Sequence, residues 1–321
     1  MPRTLGARHR TLQTVTPPKR KLSKRLSDLF LYFSVVILRR MFLLLPLAAA
    51  VRLGAFLGRL GFYFDRTGSA VALDNLAASY PELSPSGVRK LCLAAYANQG
   101  KNFAEFVSFP KYDGSRIREL VSFEGEEILA EARKRGRGTM IITAHFGNWE
   151  LLGAALADRG YPLTVMAKRF YIPEINDIVV RNRAGAGINL IMRAAEYSGR
   201  DIIKTLRSNH LLGMIIDQDT DVPGVFVNFF GRDAYTPAGA ASIALKMDCS
   251  VVYVFIERES LLGHRVCVEG PVELMRTGDE QKDALENTRI FTAKIEEYVR
   301  RRPEQWVWYH KRWKTKRNDK N

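Results

Sequence analysis

The chain has 321 residues, 46% of them hydrophobic, and its formal net charge is +15. This length fits one large domain or two small ones with a sizeable core, and the hydrophobic content is ordinary for a globular protein. The three cysteines form no C-x-x-C pair, so no disulfide framework or zinc site can be read from them, and they favour the reducing cytosolic side.

The positive charge is concentrated at the two ends of the chain. Residues 1–66 contain 13 Lys/Arg and two Asp/Glu, and residues 300–321 contain nine Lys/Arg and two Asp/Glu. Residues 67–299 contain 27 Lys/Arg and 30 Asp/Glu, so the centre is close to neutral. Basic ends of this kind suit a polyanionic partner, either nucleic acid or an anionic membrane surface.

The amino-terminal sequence favours the membrane. Residues 1–28 contain eight Lys/Arg and one acid, and we predict that they form a disordered basic arm. The next stretch, Leu29–Val51, reads LFLYFSVVILRRMFLLLPLAAAV and is apolar except for one serine and the Arg39-Arg40 pair. It is long enough to span a bilayer, but two arginines near its middle would cost about 5–7 kcal/mol.

We therefore predict that residues 29–66 form a membrane-associated helical segment. The segment is expected to enter the membrane shallowly or to turn back near Arg39-Arg40 or Pro46, with the arginines at headgroup level. A long basic lead-in makes a cleaved secretory signal a poor interpretation. The alternative is an amphipathic helix pair buried in the protein.

The remainder, residues 67–321, is predicted to be one α/β domain. Residues 67–109 have apolar positions at helical spacing, interrupted by a turn at Tyr80–Ser86. Beyond residue 121, strands and helices alternate, which favours a sheet covered by helices on both faces. The predicted strands are Thr139–Ala144, Leu163–Ala167, Leu211–Ile216, Val251–Glu257 and Arg265–Glu269. The predicted helices are Trp149–Ala157, Ile175–Gly185, Arg200–Arg207, Gly239–Lys246 and Asp283–Arg301.

The stretch ITAHFGNWELLG, residues 142–153, combines a strand end with a titratable pair. His145 follows the apolar strand, at the sheet edge where open α/β sheets hold their ligands. Asn148 is a good helix cap and would place Glu150 in the first helical turn. If the chain turns at Gly147, Glu150 can hold one imidazole nitrogen while the other faces a substrate.

Two interpretations of this pair remain open from the residues alone. In the first, His145 is a general base; since the chain has no serine nucleophile elbow, the base would act directly on a substrate hydroxyl, which suits acyl transfer from a thioester to an alcohol. In the second, His145 is a core histidine and Glu150 only caps a helix.

The same residues carry a family resemblance. AHFGNWE resembles the H-x4-D/E motif of glycerolipid acyltransferases, and its HFGNWE form is similar to that of the late acyltransferases of lipid A biosynthesis, the lauroyl and myristoyl transferases. Other segments match these enzymes in order along nearly the whole chain: ALDNLAASYPELS, MAKRFYIPEINDIVVRNR, LLGMIIDQDTDVPGVFVNFFGRDAYTPAGAA and RPEQWVWYHKRWKTK.

The resemblance implies an acyltransferase with a mixed sheet flanked by helices and an amino-terminal membrane-anchoring segment. The acyl chain would move from acyl carrier protein, or acyl-CoA, to a hydroxyl of a phosphorylated glycolipid. The enzyme would lie at the bacterial inner membrane with its catalytic domain on the cytoplasmic side, and it would need no cofactor.

The resemblance also implies roles for individual residues. His145 would be the base and Glu150 its partner. One departure from the family is Lys168-Arg169-Phe170, where an aromatic residue usually precedes the arginine, as in Y-R-P. The implied substrate-binding residues are Asn148, Trp149, Arg169, Arg183, Asp217, Gln218, Phe230, Gly231, Arg232 and Arg312.

Two further patterns have competing explanations. Asp217, Asp219 and Asp221 alternate in IDQDTD, which is conceivable for Mg²⁺, but a turn after a strand is the favoured interpretation and we predict no metal. The tail WVWYHKRWK interleaves tryptophans with cations, a mixture that can stack nucleic-acid bases or mark a membrane interface. The apolar anchor favours membrane or lipid phosphate, so we predict no nucleic-acid partner and a structural role for His310.

The leading hypothesis has two rivals. One is acylation of a different glycolipid, such as a mannoside or an ornithine lipid. The other is a non-enzymatic basic protein that binds membrane or nucleic acid. The His145–Glu150 pair separates the classes, because a binder has no need of it.

Overall fold

The computed structural model describes residues 22–192 and 198–319. Its helices are α1 (Leu22–Leu44), α2 (Leu47–Phe64), α3 (Arg66–Ser79), α4 (Pro85–Val107), α5 (Gly114–Leu120), α6 (Glu126–Lys134), α7 (Trp149–Asp158), α8 (Pro173–Gly185), α9 (Ser198–Arg207), α10 (Gly239–Met247) and α11 (Glu280–Arg301). Its strands are β1 (Val121–Glu124), β2 (Thr139–Thr143), β3 (Leu163–Ala167), β4 (Asn189–Met192), β5 (Leu211–Ile215), β6 (Gly224–Phe229), β7 (Arg232–Pro237), β8 (Ser250–Arg258) and β9 (His264–Glu269).

Seven of these strands form one mixed sheet in the order β1-β9-β8-β2-β5-β3-β4. The five strands from β8 to β4 run parallel, β9 is antiparallel to β8, and β1 is parallel to β9. Strands β6 and β7 form a separate antiparallel hairpin. The prediction of a mixed sheet flanked by helices is confirmed, and each of the five predicted strands is present.

The central strands are buried on both faces, as is usual for parallel strands. Met140 and Ile142 of β2 belong to a cluster with α10, α11 and the carboxyl-terminal segment. Ile141, between them, belongs to the opposite cluster with α6 and α7. Because side chains alternate along a strand, one five-residue strand contributes to both halves of the core.

The helical break expected in the amino-terminal segment lies at Pro46. Helix α1 runs unbroken through Arg39-Arg40, and α2 begins directly after Pro46. Lys111 joins the break to the domain, since its Nζ donates to Phe42 O and Leu45 O at 3.0 and 2.6 Å. Residues 22–28, which we placed in the disordered arm, belong to α1; the rest of the arm lies outside the described residues.

Helix α2 packs along α4 at very short range. A Cβ added to Gly54 would lie 2.3 Å from Gly100 O, and one added to Gly100 would lie 2.0 Å from Gly54 O. Only glycine therefore allows this approach of the two backbones. Within the described part of the chain, α2 alone is long and apolar enough to cross a membrane, judged by length and composition.

Candidate active site

The site lies at the carboxyl edge of the two central strands β2 and β5. Register pairs Thr143 of β2 with Ile215 of β5, so the residues that follow each strand emerge side by side. His145 comes two residues after β2, and Asp217 comes two residues after β5. The position expected for His145 is therefore the position it takes, at the edge where α/β sheets hold ligands.

Asp217 holds His145 through two hydrogen bonds, and a third hydrogen bond from Trp306 fixes the Asp217 carboxylate. Its Oδ1 lies 2.8 Å from His145 Nδ1, and its Oδ2 accepts from the His145 backbone N–H at 2.9 Å. The Trp306 indole donates to Oδ2 at 2.7 Å. Burial alone would raise the pKa of Asp217, but the charge of His145 and these hydrogen bonds outweigh it and hold the pKa below its usual range.

An ionised Asp217 can only accept hydrogen bonds, so His145 carries its hydrogen on Nδ1 and a lone pair on Nε2. The imidazole side chain is 25% exposed, and Nε2 has no hydrogen-bond partner in residues 22–192 or 198–319. The Trp149 ring stands edge-on to the imidazole at 5.1 Å. The Nε2 lone pair is therefore not taken up by any group of the described residues, and the partly exposed ring lies beside Trp149.

We expected Glu150 to orient the imidazole, and this expectation is wrong, because Glu150 binds Arg183 instead. Its two oxygens accept from Arg183 Nε and Nη2 at 2.9 and 2.6 Å. Burial would lower the pKa of Arg183, but the hydrogen bond and charge of Glu150 raise it. The Glu150 side chain, in the first turn of α7, reaches Arg183 of α8, whereas β5 brings Asp217 against the end of β2.

The turn between His145 and α7 is fixed residue by residue. Gly147 has a φ of +58°, and a Cβ there would lie 1.7 Å from Ile256 O, so this position requires glycine. Its N–H donates to Gln305 O at 3.0 Å. Asn148 caps α7 as predicted, because its Oδ1 accepts from Leu151 N at 3.1 Å.

Other predicted substrate-binding residues are spread over the fold. Arg169 is exposed in the loop between β3 and α8, and Gln218 is half-buried beside Asp217. Phe230 and Gly231 form the turn between β6 and β7, where Phe230 packs edge-on against Trp308.

Arg232 and Arg312 fix this hairpin to the tail. Arg232 stacks over the Trp313 ring at 3.5 Å, and its Nη2 donates to Ser79 Oγ. Arg312 is 0% exposed and donates to Tyr235 O at 2.7 Å and to Thr236 Oγ1. Burial lowers the pKa of Arg312 to about 10, against the nearby charges of Asp217 and Asp219. The structure thus places Arg312 in the interior instead of at a substrate surface.

The prediction that the tail tryptophans lie at a membrane interface is wrong. Trp306, Trp308 and Trp313 are 1%, 1% and 7% exposed and pack in the core. Their N–H groups find partners inside the protein, as buried indoles require. The QWVW block therefore packs against Asp217 and the β6–β7 hairpin.

Two of the three IDQDTD acids have protein partners. Asp219 accepts from Thr315 N and Oγ1 at 2.9 and 3.0 Å, and Asp217 holds His145. No group of three or more His, Cys, Asp or Glu in the described ranges could hold a metal ion.

Sequence reasoning missed the role of Trp306 and the partner of His145. The sequence offered one signal, because His145 and Asp217 each directly follow a predicted strand. The sequence could not show that β2 and β5 are adjacent and bring Asp217 to His145 Nδ1, because strand order depends on long-range packing.

Comparisons with known proteins identify the family of the chain. Residues 17–315 match the sequence profile of the family described as bacterial lipid A biosynthesis acyltransferase. The lipid A biosynthesis palmitoleoyltransferase of Escherichia coli (strain K12) is 24% identical over 277 residues, covering 85% of this chain and 87% of the relative. The lauroyltransferase of the same organism is 24% identical over 279 residues, with the same coverage. A phosphatidylinositol mannoside acyltransferase of Mycolicibacterium smegmatis is 26% identical over 164 residues, covering 50% of this chain and 53% of the relative.

Proposed function

Since the chain belongs to the bacterial lipid A biosynthesis acyltransferase family and is an acyltransferase, we propose that it moves a fatty acyl chain from a thioester to a hydroxyl of a lipid A precursor. The resemblance inferred from the sequence motifs is confirmed by the family match and by relatives named lipid A acyltransferases. The donor, the acceptor hydroxyl and the residue roles below are our proposals.

The observation that carries the mechanism is the His145–Asp217 pair, with Nδ1 held and Nε2 open. Nε2 takes the proton of the acceptor hydroxyl while the hydroxyl oxygen attacks the thioester carbonyl carbon. When the carbon–sulfur bond breaks, the leaving thiolate takes that proton from the imidazolium. Asp217 orients the ring and stabilises its cationic form, as the third member of a catalytic triad does.

Glu150 acts through Arg183 in this proposal. The bidentate pair fixes the guanidinium plane, and Arg183 Nη1 has no hydrogen-bond partner among the residues described. Arginine suits phosphate because its planar fork can donate two hydrogen bonds at once. We assign Arg183 to the negative charge of the acceptor or of the donor's phosphate-bearing arm, with Glu150 setting its direction.

The lipid A precursor is favoured over a mannoside acceptor by extent of similarity. The lipid A relatives align with 85% of the chain, whereas the mannoside relative aligns with 50%. The thioester donor is assigned to acyl carrier protein, whose acidic surface suits a basic chain, with acyl-CoA as the variant.

The proposed location is the cytoplasmic side of the inner membrane. Phe30, Ile37 and Leu44 of α1 are 77%, 67% and 87% exposed, which is a poor arrangement for a surface in water. Because α2 packs tightly on α4, the helices are proposed to lie at the interface with the catalytic domain attached, instead of crossing as a free span.

The test combines a genetic and a biochemical measurement. Lipid mass spectrometry of a deletion strain should show a lipid A that lacks one acyl chain, restored by the wild-type gene and not by His145→Ala. Purified protein should transfer a radiolabelled acyl chain from acyl carrier protein to the isolated precursor. An unchanged lipid A together with a newly altered glycolipid would transfer the assignment to that glycolipid.

A further inference from the structure

A buried charged cluster lies directly beneath the turn that carries His145. Its centre is Glu105 of α4, whose oxygens accept from Arg258 Nη1 and Nη2 at 2.8 and 2.5 Å. His264 Nε2 lies 3.0 Å from Glu105 Oε1. The side chains of these three residues are at most 5% exposed, so the cluster is isolated from solvent.

Two hydrogen bonds join the cluster to the catalytic turn. Asn148 Nδ2 donates to Glu105 Oε2 at 2.6 Å, while its Oδ1 caps α7. Asn102 Nδ2 donates to Gly147 O at 2.5 Å, and its Oδ1 accepts from Arg258 Nη2 at 2.9 Å. The two residues that follow Phe146 are thus held from below by α4.

These links have a strong acceptor and a rigid base. Burial would raise the pKa of Glu105, but the charge of Arg258 and the hydrogen bonds from Arg258 and His264 lower it to about 2, so Glu105 stays ionised. A hydrogen bond to an ionised acceptor is roughly twice as strong as a neutral one. Asn102 and Glu105 are three residues apart on one face of α4, so both links come from a single helix.

The position of the turn decides where His145 Nε2 lies. Gly147 and Asn148 follow His145 by two and three residues, and α7 begins immediately afterwards. A displacement of about 1 Å at a reacting group can reduce a rate by about 100-fold. We propose that Asn102 and Glu105 of α4 are positioning residues that fix the catalytic turn through Gly147 O and Asn148, and that the Arg258 ion pair holds them in place.

This proposal rests on the proposed function, and a matched pair of variants separates positioning from stability. Asn98 and Asn102 lie one turn apart on α4, are 3% and 6% exposed, and each accepts one hydrogen bond from Arg258. Only Asn102 also contacts the turn. Asn98→Leu and Asn102→Leu are close in shape to the native residue and remove the same kind of bond to Arg258.

The experiment uses the full chain in detergent and two readouts. One is kcat and KM for acyl transfer; the other is amide hydrogen exchange of residues 146–151. Asn102→Leu should lower kcat by about 10- to 100-fold with KM within about twofold, and it should speed exchange in the turn. Asn98→Leu should lower the melting temperature to a similar degree with kcat and exchange in the turn near wild type.

Equal effects of the two variants on kcat and on exchange would overturn the proposal, as would no effect of either. If Asn102→Leu does not fold, Asn148→Ser takes its place, because serine keeps the oxygen that caps α7 and loses the amide donor to Glu105. Asn148→Ser should then show the same fall in kcat and faster exchange, and wild-type behaviour would overturn the proposal. The exchange readout also separates the two ideas: a wild-type protein without acyl transfer would refute the proposed function, while different exchange in the two variants would still support positioning.

Discussion

His145 Nδ1 and Asp217 Oδ1 lie 2.8 Å apart although 72 residues separate them in the chain. The contact exists because β2 and β5 are adjacent parallel strands that end at the same level. In the proposed mechanism, the H-x4-E motif supplies the base, and the IDQ segment supplies the carboxylate that orients it. The acid of the motif, Glu150, accepts hydrogen bonds from Arg183 instead.

This division leads to an expected order of losses on mutation. His145→Ala should abolish measurable transfer, and Asp217→Asn should lower kcat by about 10²–10⁴, because asparagine can no longer stabilise the imidazolium. Glu150→Gln should cost less, since its oxygen still accepts from Arg183. Steady-state kinetics of the purified variants measures all three.

Asp219→Asn is the matched control for that series. Asp219 is a buried acid on the same segment, but its partners are Thr315 and, at 3.8 Å, Lys314. This variant should lower the melting temperature with kcat near wild type. A larger loss in Glu150→Gln than in Asp217→Asn would return the orienting role to Glu150.

Arg183→Ala should raise the KM for the acceptor by about 10-fold or more, since a charged hydrogen bond contributes about 1.5–3 kcal/mol. A phosphate-free acceptor analogue should not respond to the mutation. Arg181, exposed and two residues away on α8, is the control, and Arg181→Ala should leave both KM values unchanged. Equal loss on both acceptors would show that Arg183 acts through Glu150 and the fold, and not on the phosphate.

The parts of the fold that could be predicted are those that a local sequence pattern determines. The buried runs of β2 and β8 are continuous and apolar, and Asn148 before an apolar run is a helix-cap signature. Strands β1 and β4 were missed because each has four residues and lies at an edge of the sheet, where burial is partial and the pattern is weak.

The unpredicted parts depend on long-range packing. In the β6–β7 hairpin, Phe229 and Phe230 pack on tryptophans about 80 residues further on, a contact that no local spacing announces. The tail was predicted to lie at a membrane because tryptophan and arginine together mark interfaces, but the same residue types also form buried cation–π contacts, as Arg312 does over Phe229. Composition alone does not separate the two.

The close approach of α2 and α4 predicts opposite signs for two glycine substitutions on one helix. Gly54→Ala should destabilise the protein by about 1–3 kcal/mol, because its Cβ would meet Gly100 O at 2.3 Å. Gly61→Ala should stabilise it by up to about 1 kcal/mol, because its Cβ would meet nothing closer than a Tyr96 ring carbon at 3.8 Å. Thermal melts of both variants provide the measurement. Changes of the same sign would mean that α2 does not pack on α4 in this way.

Membrane binding should depend on the exposed apolar face of α1. Phe30, Phe33 and Ile37 are 77%, 56% and 67% exposed and lie at helical spacing on one side. Their joint replacement by serine should move the protein from the membrane fraction to the soluble fraction and leave the fold of the catalytic domain unchanged by circular dichroism. The control triple replaces other exposed apolar residues by serine: Leu83, Ile203 and Met275. If both triples shift the protein equally, α1 has no special part in membrane association.

On acidification, stability should begin to fall at a higher pH than the protonation of carboxylates alone would cause. The reason is His264. The pKa of His264 is lowered. Burial and the charge of Arg258 lower it by more than Glu105 and Glu259 raise it. Its Nε2 faces Glu105 and its buried Nδ1 has no partner within the described residues, so the folded state holds the neutral ring. Below the unfolded-state pKa of about 6.5, the unfolded chain binds a proton that the folded chain does not, and the free energy of unfolding therefore decreases as pH falls.

His264→Gln keeps an amide donor for Glu105 and removes this titration. The melting temperature of the wild-type protein should fall more steeply between pH 7 and 5 than that of His264→Gln, and the difference between the two curves should be largest at the acidic end. Burial would raise the pKa of Glu105, but Arg258 and His264 lower it to about 2 in the wild-type protein, so this carboxylate titrates below the window. Parallel curves from pH 7 to 5 would show that His264 takes up its proton in the folded state, paired with Glu105 as an ion.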